Sequence, residues 1–469
     1  MQNSPSKESL VYHDSHEQMS DSETDPFHHY GSTNVRSPGN SNDNLFSSTN
    51  TANSNYFTAT SSSPTPYMGI GVGNRKDLRR RKKIDRIGSV RTIEESIRSA
   101  DGQKPFFVAL YDMLRDSYIN ILLLAMPVAY WSQRQGWSPS SVFLWNFTAM
   151  VPLAALLGAF TEEVAAHTNQ TIGGLINATF GNAVEVVVAI QALLAGEIRV
   201  VQASMIGSIF SNLLLVLGCC FFFGGLKYKE QHFQSITATA NMGMLCLSSI
   251  ALVLPTPFAN YYDLEDEDAL GISRTAAIFL ISMYIQLLIF QLKTHVDLFE
   301  DDEEEETEMS FFSACFGLVG VTTIIAKLSD YLVESIDGFC VQSGLSRTFV
   351  GLIILPIVGN AVEHATAVTV AMKDKMDLAM GVAVGSSVQI SLFVAPLTVI
   401  IGWMVDKPMS FNFPHFEIIL FTLSVIVVSI VVANSKSNWL EGSMLITTYL
   451  MIAVGFYYEK IQDSKPAEV

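Results

Sequence analysis

The sequence predicts an all-α integral membrane protein of about eleven transmembrane helices, arranged as one leading helix plus two inverted five-helix repeats. Three observations predict it. Apolar runs near the roughly 20 residues that a bilayer span requires recur from Ser117 onward. Charged residues make up 16% of the 469-residue chain and hydrophobic ones 49%, whereas an average soluble domain is about 25% charged. The pentapeptide Gly-Asn-Ala-Val-Glu occurs twice, at residues 181–185 and 359–363, each time inside an apolar run.

Residues 1–104 come first and differ from the rest. Ser, Asn, Thr, Asp and Pro dominate, so this stretch cannot bury enough apolar surface to fold alone and reads as a disordered cytosolic tail. It has neither the charged start nor the apolar core of a signal peptide. It carries RKDLRRRKK at residues 75–83, either a solvated stretch that keeps the tail in the cytosol or a binding element for lipid headgroups or a regulator.

The leading span is expected near 117–132, within a segment 105–134. The first five-helix unit occupies 139–293, with spans near 140–162, 171–195, 200–225, 235–256 and 274–293. A linker follows at 294–309. The second unit occupies 310–458, with spans near 310–333, 348–372, 377–405, 413–433 and 439–457, and a short tail closes the chain at 459–469. Lys and Arg favour one side of this arrangement: Lys227, Lys229, Lys293, Lys373, Lys375 and Lys436 fall together with the basic tail, while Arg134, Arg199, Arg347 and Lys407 fall opposite. By the positive-inside rule the former side is cytosolic.

The repeat extends beyond the pentapeptide. A shift of 178 residues superposes Gly181 to Glu185 on Gly359 to Glu363, and with no gap also Gly173 on Gly351 and Gly207-Ser208 on Gly385-Ser386. Five spans per unit is an odd number, so the second unit lies upside down relative to the first. That is an architecture of secondary transporters, whose sites lie near the bilayer midplane where the repeats meet.

The signatures carry the chemistry. Asn182 lies three residues before Glu185, and Asn360 three before Glu363, so each pair shares a helix face. Gly181 and Gly359 permit close approach or unwinding, and Pro356 frees a carbonyl nearby. Carboxylates, amide carbonyls and loosened backbone carbonyls are hard oxygen donors of the kind Ca²⁺ prefers; no Cys/His cluster points to a softer metal. A charged Glu at the bilayer centre is costly unless paired, hydrated or protonated. Two facing carboxylates repel as well, so an empty site is expected to hold protons and a filled one a divalent cation. Exchange of one for the other is antiport. The metal candidates are thus Glu185, Glu363, Asn182 and Asn360.

Other polar residues accompany them. Ser208, Ser211 and Asn212 follow the first signature and Ser386 and Gln389 the second, serving either helix packing or the transport path. Glu162 and Glu163 end the second span, as solvated residues or as a first capture point. His364 either relays protons or hydrogen-bonds a neighbour. The acidic run Glu300, Asp301, Asp302, Glu303, Glu304, Glu305, Glu306 and Glu308 reads as a charge-repelling linker or as a short amphipathic helix that gathers or senses Ca²⁺. The five cysteines read as small core residues, with no spacing that suggests a disulfide or a zinc site. The sequons at Asn146, Asn169 and Asn177 lie in or at the edge of spans, where glycosylation is not expected. The net charge of −17, much of it in residues 263–268 and 297–308, argues against a nucleic-acid binder.

GNAVE, QASMIGSIFSNLLLVLG from Gln202, GNAVEH, and AMKDKMDLAMGVAVGSSVQI from Ala371 resemble the two signature regions of the calcium/cation antiporter superfamily, and within it the Ca²⁺/H⁺ exchangers of fungal vacuolar type. The likeness runs from about Ala109 to Tyr458. It implies uptake of cytosolic Ca²⁺ into the vacuole across a multi-pass membrane, driven by a proton gradient that a separate pump builds, with no resident cofactor and no enzymatic step. It implies that Glu185 and Glu363 carry the cation, that Asn182 and Asn360 assist, that Glu162 and His364 take part in transport, and that the acidic segment is regulatory. Exchange of Mn²⁺ or coupling to Na⁺ stays open within the superfamily, and a cation channel is the alternative from another class. An intramembrane metalloprotease is disfavoured, because Glu363-His364 lacks the second His of HExxH.

Overall fold

In the computed structural model the described residues are 103–262, 266–296 and 307–459. The basic stretch at 75–83 and residues Glu300 to Glu306 of the acidic run lie outside them. The chain is an all-α membrane protein whose helices are, in order, α1 (Phe106–Asp116), α2 (Ala125–Arg134), α3 (Pro139–Ala166), α4 (Gln170–Phe180), α5 (Ala183–Ala195), α6 (Ile198–Lys227), α7 (Ser235–Tyr262) and α8 (Glu267–Thr294). The second half contributes α9 (Phe311–Ser343), α10 (Arg347–Ile357), α11 (Ala361–Ala371), α12 (Met376–Met404), α13 (His415–Val432) and α14 (Trp439–Tyr457). Two-residue strands β1 (Gln231–His232) and β2 (Lys436–Ser437) pair antiparallel between connections.

Among these residues eight helices are long and apolar enough to cross a membrane, or ten if each bent pair forms one span. Those pairs are α4 with α5, bent by 43°, and α10 with α11, bent by 50°. They are the spans expected near 171–195 and 348–372, each interrupted at its signature. The leading span expected near 117–132 is not among these ten. A tight 3₁₀ stretch, Tyr118–Leu124, runs into α2, and α1 precedes it as a separate helix. Ser117 separates them in extended conformation, its hydroxyl accepting the Ile119 amide.

Local chemistry sets the helix starts. The side chains of Asn169, Ser310, Ser346 and Asn438 each accept an amide of the first helical turn, satisfying donors that lack an intrahelical partner. Residues without side chains set the packing. A Cβ on Gly207 of α6 would collide with the Leu352 carbonyl of α10, and one on Gly442 of α14 with the Phe222 amide of α6. Small residues at such crossings are how membrane helices approach without help from a hydrophobic effect. Helices α3 and α9 pack along one another, with Phe143 stacked on Phe339 at 4.1 Å between centroids.

Contacts between connections define two ends. At one, Lys104 pairs with Glu308, Lys227 donates to the Met372 carbonyl, Thr171 to the Leu292 carbonyl, and Gln231 faces Ser437 across the β ladder. At the other, Gln133 meets Glu334, Ser140 meets Gln342, and Arg347 meets Glu197 and Asp337. The first holds the lysines that the sequence places together and is called the basic end below.

Candidate functional site

Both signatures sit where a span breaks. Asn182 has left helical geometry, at φ −105° and ψ 21°, and Asn360 does the same at φ −102° and ψ 7°. Glu185 then falls in the first turn of α5 and Glu363 in the first turn of α11. Each break therefore sets the carbonyl end of one half-helix beside a carboxylate at the start of the next. Oxygen-rich, irregular backbone of this kind is tolerated at membrane depth only where protein or an aqueous cavity surrounds it.

The two carboxylates approach one another across the repeat. The Glu185 side chain reaches the second signature. Its Oε1 lies 3.1 Å from where a Cβ on Gly359 would stand. Glu185 is 8% exposed and faces a small pocket with Ser208, Ser204 and Pro356, about 30 Å³ in volume, room for one or two water molecules. Glu363 lines a cleft of about 550 Å³ together with Ser386, Gln389, Thr366, Asn177, Gln291 and, at the basic end, Thr161 and Glu162. Val184 and Gly359 border both spaces.

The amides complete the donor set. Asn182 donates from Nδ2 to Gln389 Oε1 at 2.6 Å, a bond from the first repeat to the second. Asn182 Oδ1, both amide atoms of Asn360, Asn212 Nδ2 and Glu363 Oε2 are buried without a hydrogen-bond partner in the protein. Each such group in a dry interior costs roughly 1–3 kcal/mol, so water or a polar ligand can satisfy them; Asn120, Asn146 and Asn241 carry similar unpaired amide oxygens elsewhere in the protein. Among the described residues no three of His, Cys, Asp and Glu gather as metal ligands. A divalent cation between Glu185 and Glu363 would take its remaining oxygens from amides, backbone and water, as Ca²⁺ readily does.

The structure thus brings together Glu185, Glu363, Asn182, Ser208, Ser386 and Gln389, with Ser208 on the Glu185 side and Ser386 beside Glu363, while Asn360 sits at the helix break between Gly359 and Glu363. Glu162 stands apart, exposed at the rim of the cleft. His364 turns away from the cleft, its Nε2 lying 3.4 Å from Ser211 Oγ of α6. Of the acidic run only Glu308 is described, paired with Lys104 at 3.1 Å. Neighbouring Glu163, expected with Glu162 to be either solvated or a first capture point, is buried, accepts the Met309 amide at 2.7 Å and holds the start of α9.

Asn177, Gln291 and Thr366 are cleft residues that sequence reasoning missed. A signal existed for Asn177, which precedes Gly181 by one helical turn and so shares its face. Gln291 lies in the terminal turns of α8 and had no such marker.

The profile of the family described as sodium/calcium exchanger protein matches residues 139–293 and 313–458. The vacuolar calcium ion transporter of Schizosaccharomyces pombe is 41% identical over 356 residues, covering 74% of this chain and 86% of that protein. The Ca²⁺/H⁺ antiporter of Aphanothece halophytica is 42% identical, covering 72% and 96%. Among solved structures, native YfkE superposes with a TM-score of 0.64 at 35% identity, covering 72% of this chain and 99% of that one. A family profile matched across both halves, on a fold with two broken signature spans, has one reading: the chain belongs to the sodium/calcium exchanger protein family.

Proposed function

We propose that the protein is a secondary antiporter that moves Ca²⁺ out of the cytosol into an acidic organelle, the vacuole, in exchange for H⁺. The reading rests on one observation above the rest: two carboxylates from opposite repeats converge at broken helices, with buried amide groups that the protein itself leaves unpaired. The names of the relatives, a vacuolar calcium ion transporter and a Ca²⁺/H⁺ antiporter, support the choice of ions and organelle.

The electrostatics supply the coupling. Among the described residues no Lys or Arg pairs with either carboxylate, so a bare pair of charges would be strongly destabilised. Two protons neutralise it, or one divalent cation does. Both cannot occupy the same oxygens, so each ion leaves as the other arrives. The basic end is the cytosolic end in this reading, and the cleft rimmed by Glu162 is the cytosolic approach. Access alternates when that cleft closes and the opposite face opens. Ca²⁺ and H⁺ are cargo, and no resident cofactor is required.

The test is ⁴⁵Ca²⁺ uptake into sealed vesicles, acidic inside, with and without a protonophore, for the native chain and for Glu185→Gln and Glu363→Gln. Uptake that collapses with the pH gradient and falls at least a hundredfold in both variants is expected. Uptake that follows an imposed Na⁺ gradient instead would make the protein a sodium-coupled exchanger. Uptake indifferent to either gradient would leave a channel.

A further inference from the structure

The repeat shift of 178 residues also relates the connections that follow α6 and α12. Gly224, Lys229 and Phe233 fall on Gly402, Lys407 and Phe411. Each connection folds back over the end of the helix before it. A Cβ on Gly224 would strike Gln231, and a Cβ on Gly402 would stand 2.7 Å from Met409. Gln231 and Met409 are themselves repeat counterparts. The protein therefore carries one strap at each end, buried at Gln231 and Phe233 on the basic side and at Met409, Phe411 and Phe413 on the other.

The straps hold different things. Gln231 Nε2 donates to the Ala371 carbonyl and to Asp374 Oδ1, both at 2.9 Å, and Lys227 Nζ donates to the Met372 carbonyl at 2.8 Å. All three bonds grip the C-terminal end of α11, the half-helix whose first turn carries Glu363. Methionine cannot donate, and among the described residues no side chain donates to the last carbonyls of α5, which carries Glu185. The opposite strap is held from α6, where Gln202 donates to the Ser410 and Asn412 carbonyls.

The grip has a backbone cost. The residue that ends α5 is Gly196, at φ 87°, and its counterpart after α11 is Asp374, at φ 65°. Glycine suits that left-handed position; an L side chain there is strained by roughly 1 kcal/mol. The strained residue is the one whose carboxylate Gln231 engages.

We propose that Gln231 is a positioning residue for cation binding: anchored in the basic-end strap, it fixes α11 from its far end and so sets Glu363 against Glu185. The proposal rests on the exchange reading above. It also makes the two halves of the site unequal, with the Glu363 half tethered and the Glu185 half free of an equivalent bond.

Gln231→Met gives the basic-end strap the side chain of the other strap at nearly the same volume. Asp374→Gly removes the engaged carboxylate while relieving the strain, and Asp374→Asn keeps an acceptor in the same place. In the vesicle assay, Gln231→Met is expected to raise the KM for Ca²⁺ about fivefold, the effect of losing one net hydrogen bond, with the maximal rate within about twofold of the native chain. Asp374→Gly is expected to raise KM in the same direction without loss of thermal stability, and Asp374→Asn to behave as the native chain does. A merely structural contact predicts the same stability for Asp374→Gly but an unchanged KM, so KM is the readout that separates the two. Unchanged KM in both Gln231→Met and Asp374→Gly, against an active native chain, would overturn the proposal. A native chain without gradient-driven uptake, indistinguishable from Glu363→Gln, would instead bring down the exchange reading and this proposal with it.

Discussion

At the scale of residues, identical amino acids at equivalent repeat positions carry different loads. Gly207 and Gly385 superpose under the repeat shift, yet a Cβ on Gly207 meets the Leu352 backbone while one on Gly385 meets nothing within 4 Å. Gly207→Ala must force α6 away from α10 and is expected to cost about 2 kcal/mol or more. Gly385→Ala is expected to be neutral, or stabilising by up to about 1 kcal/mol through helix propensity. Thermal unfolding in detergent, followed by size-exclusion of the fluorescently tagged protein, measures both; equal losses would contradict the asymmetry. The signature residues were legible in the sequence because Glu and Asn are costly in an apolar run and rarely lie there by accident. Their division of labour was not legible. Nothing in the string GSIFSN tells that Ser208 faces the Glu185 pocket while Ser211 meets His364, since that depends on how α6 is rotated against helices distant in sequence.

At the scale of elements, the apolar spans were read from hydropathy with ends close to those observed; the departures occur where polar groups find partners. The span expected near 274–293 starts at Glu267, a full turn or more earlier, and α9 runs to Ser343 rather than ending near 333. Hydropathy cannot see that Arg274 caps the Trp403 ring at 5.1 Å or that Asp337 pairs with Arg347, contacts that accommodate charge in a continuing helix. A further such pair ties the repeats together at the end opposite the basic one. Arg199, in the first turn of α6, pairs with Glu417 of α13, whose side chain is 1% exposed. Breaking a buried pair from one side leaves an uncompensated charge, a loss that exceeds what the intact pair contributes. Glu417→Met is expected to lower stability by about 2 kcal/mol, since Arg199 retains some exposure, and adding Arg199→Met to recover most of it. A double-mutant cycle on the unfolding midpoint checks this; additive losses would mean that the pair is not coupled.

At the scale of the whole molecule, the two sets of connections are separated by the full length of the helices, and each set is tied together by its own side-chain contacts. The sequence anticipated the same division from its lysines, because short basic loops are retained on one side during insertion. It could not anticipate that the cleft would open toward that side, which depends on how far α3, α4, α8 and α11 stand apart. With the basic end cytosolic as proposed, a membrane-impermeant thiol reagent applied to right-side-out vacuoles is expected to label Lys436→Cys and leave Lys407→Cys unlabelled, with the pattern exchanged when the lumen is exposed. Labelling of both from one side would refute the arrangement of the connections.

The cleft beside Glu363 holds about 550 Å³, and at about 30 Å³ per molecule that is on the order of ten to twenty waters. In the proposed cycle, closure around a cation displaces them. The free energy of closure then includes an osmotic part, because solutes too large to enter the cleft favour the drier form. The proposed exchange cycle would then respond to water activity as well as to the ion gradients.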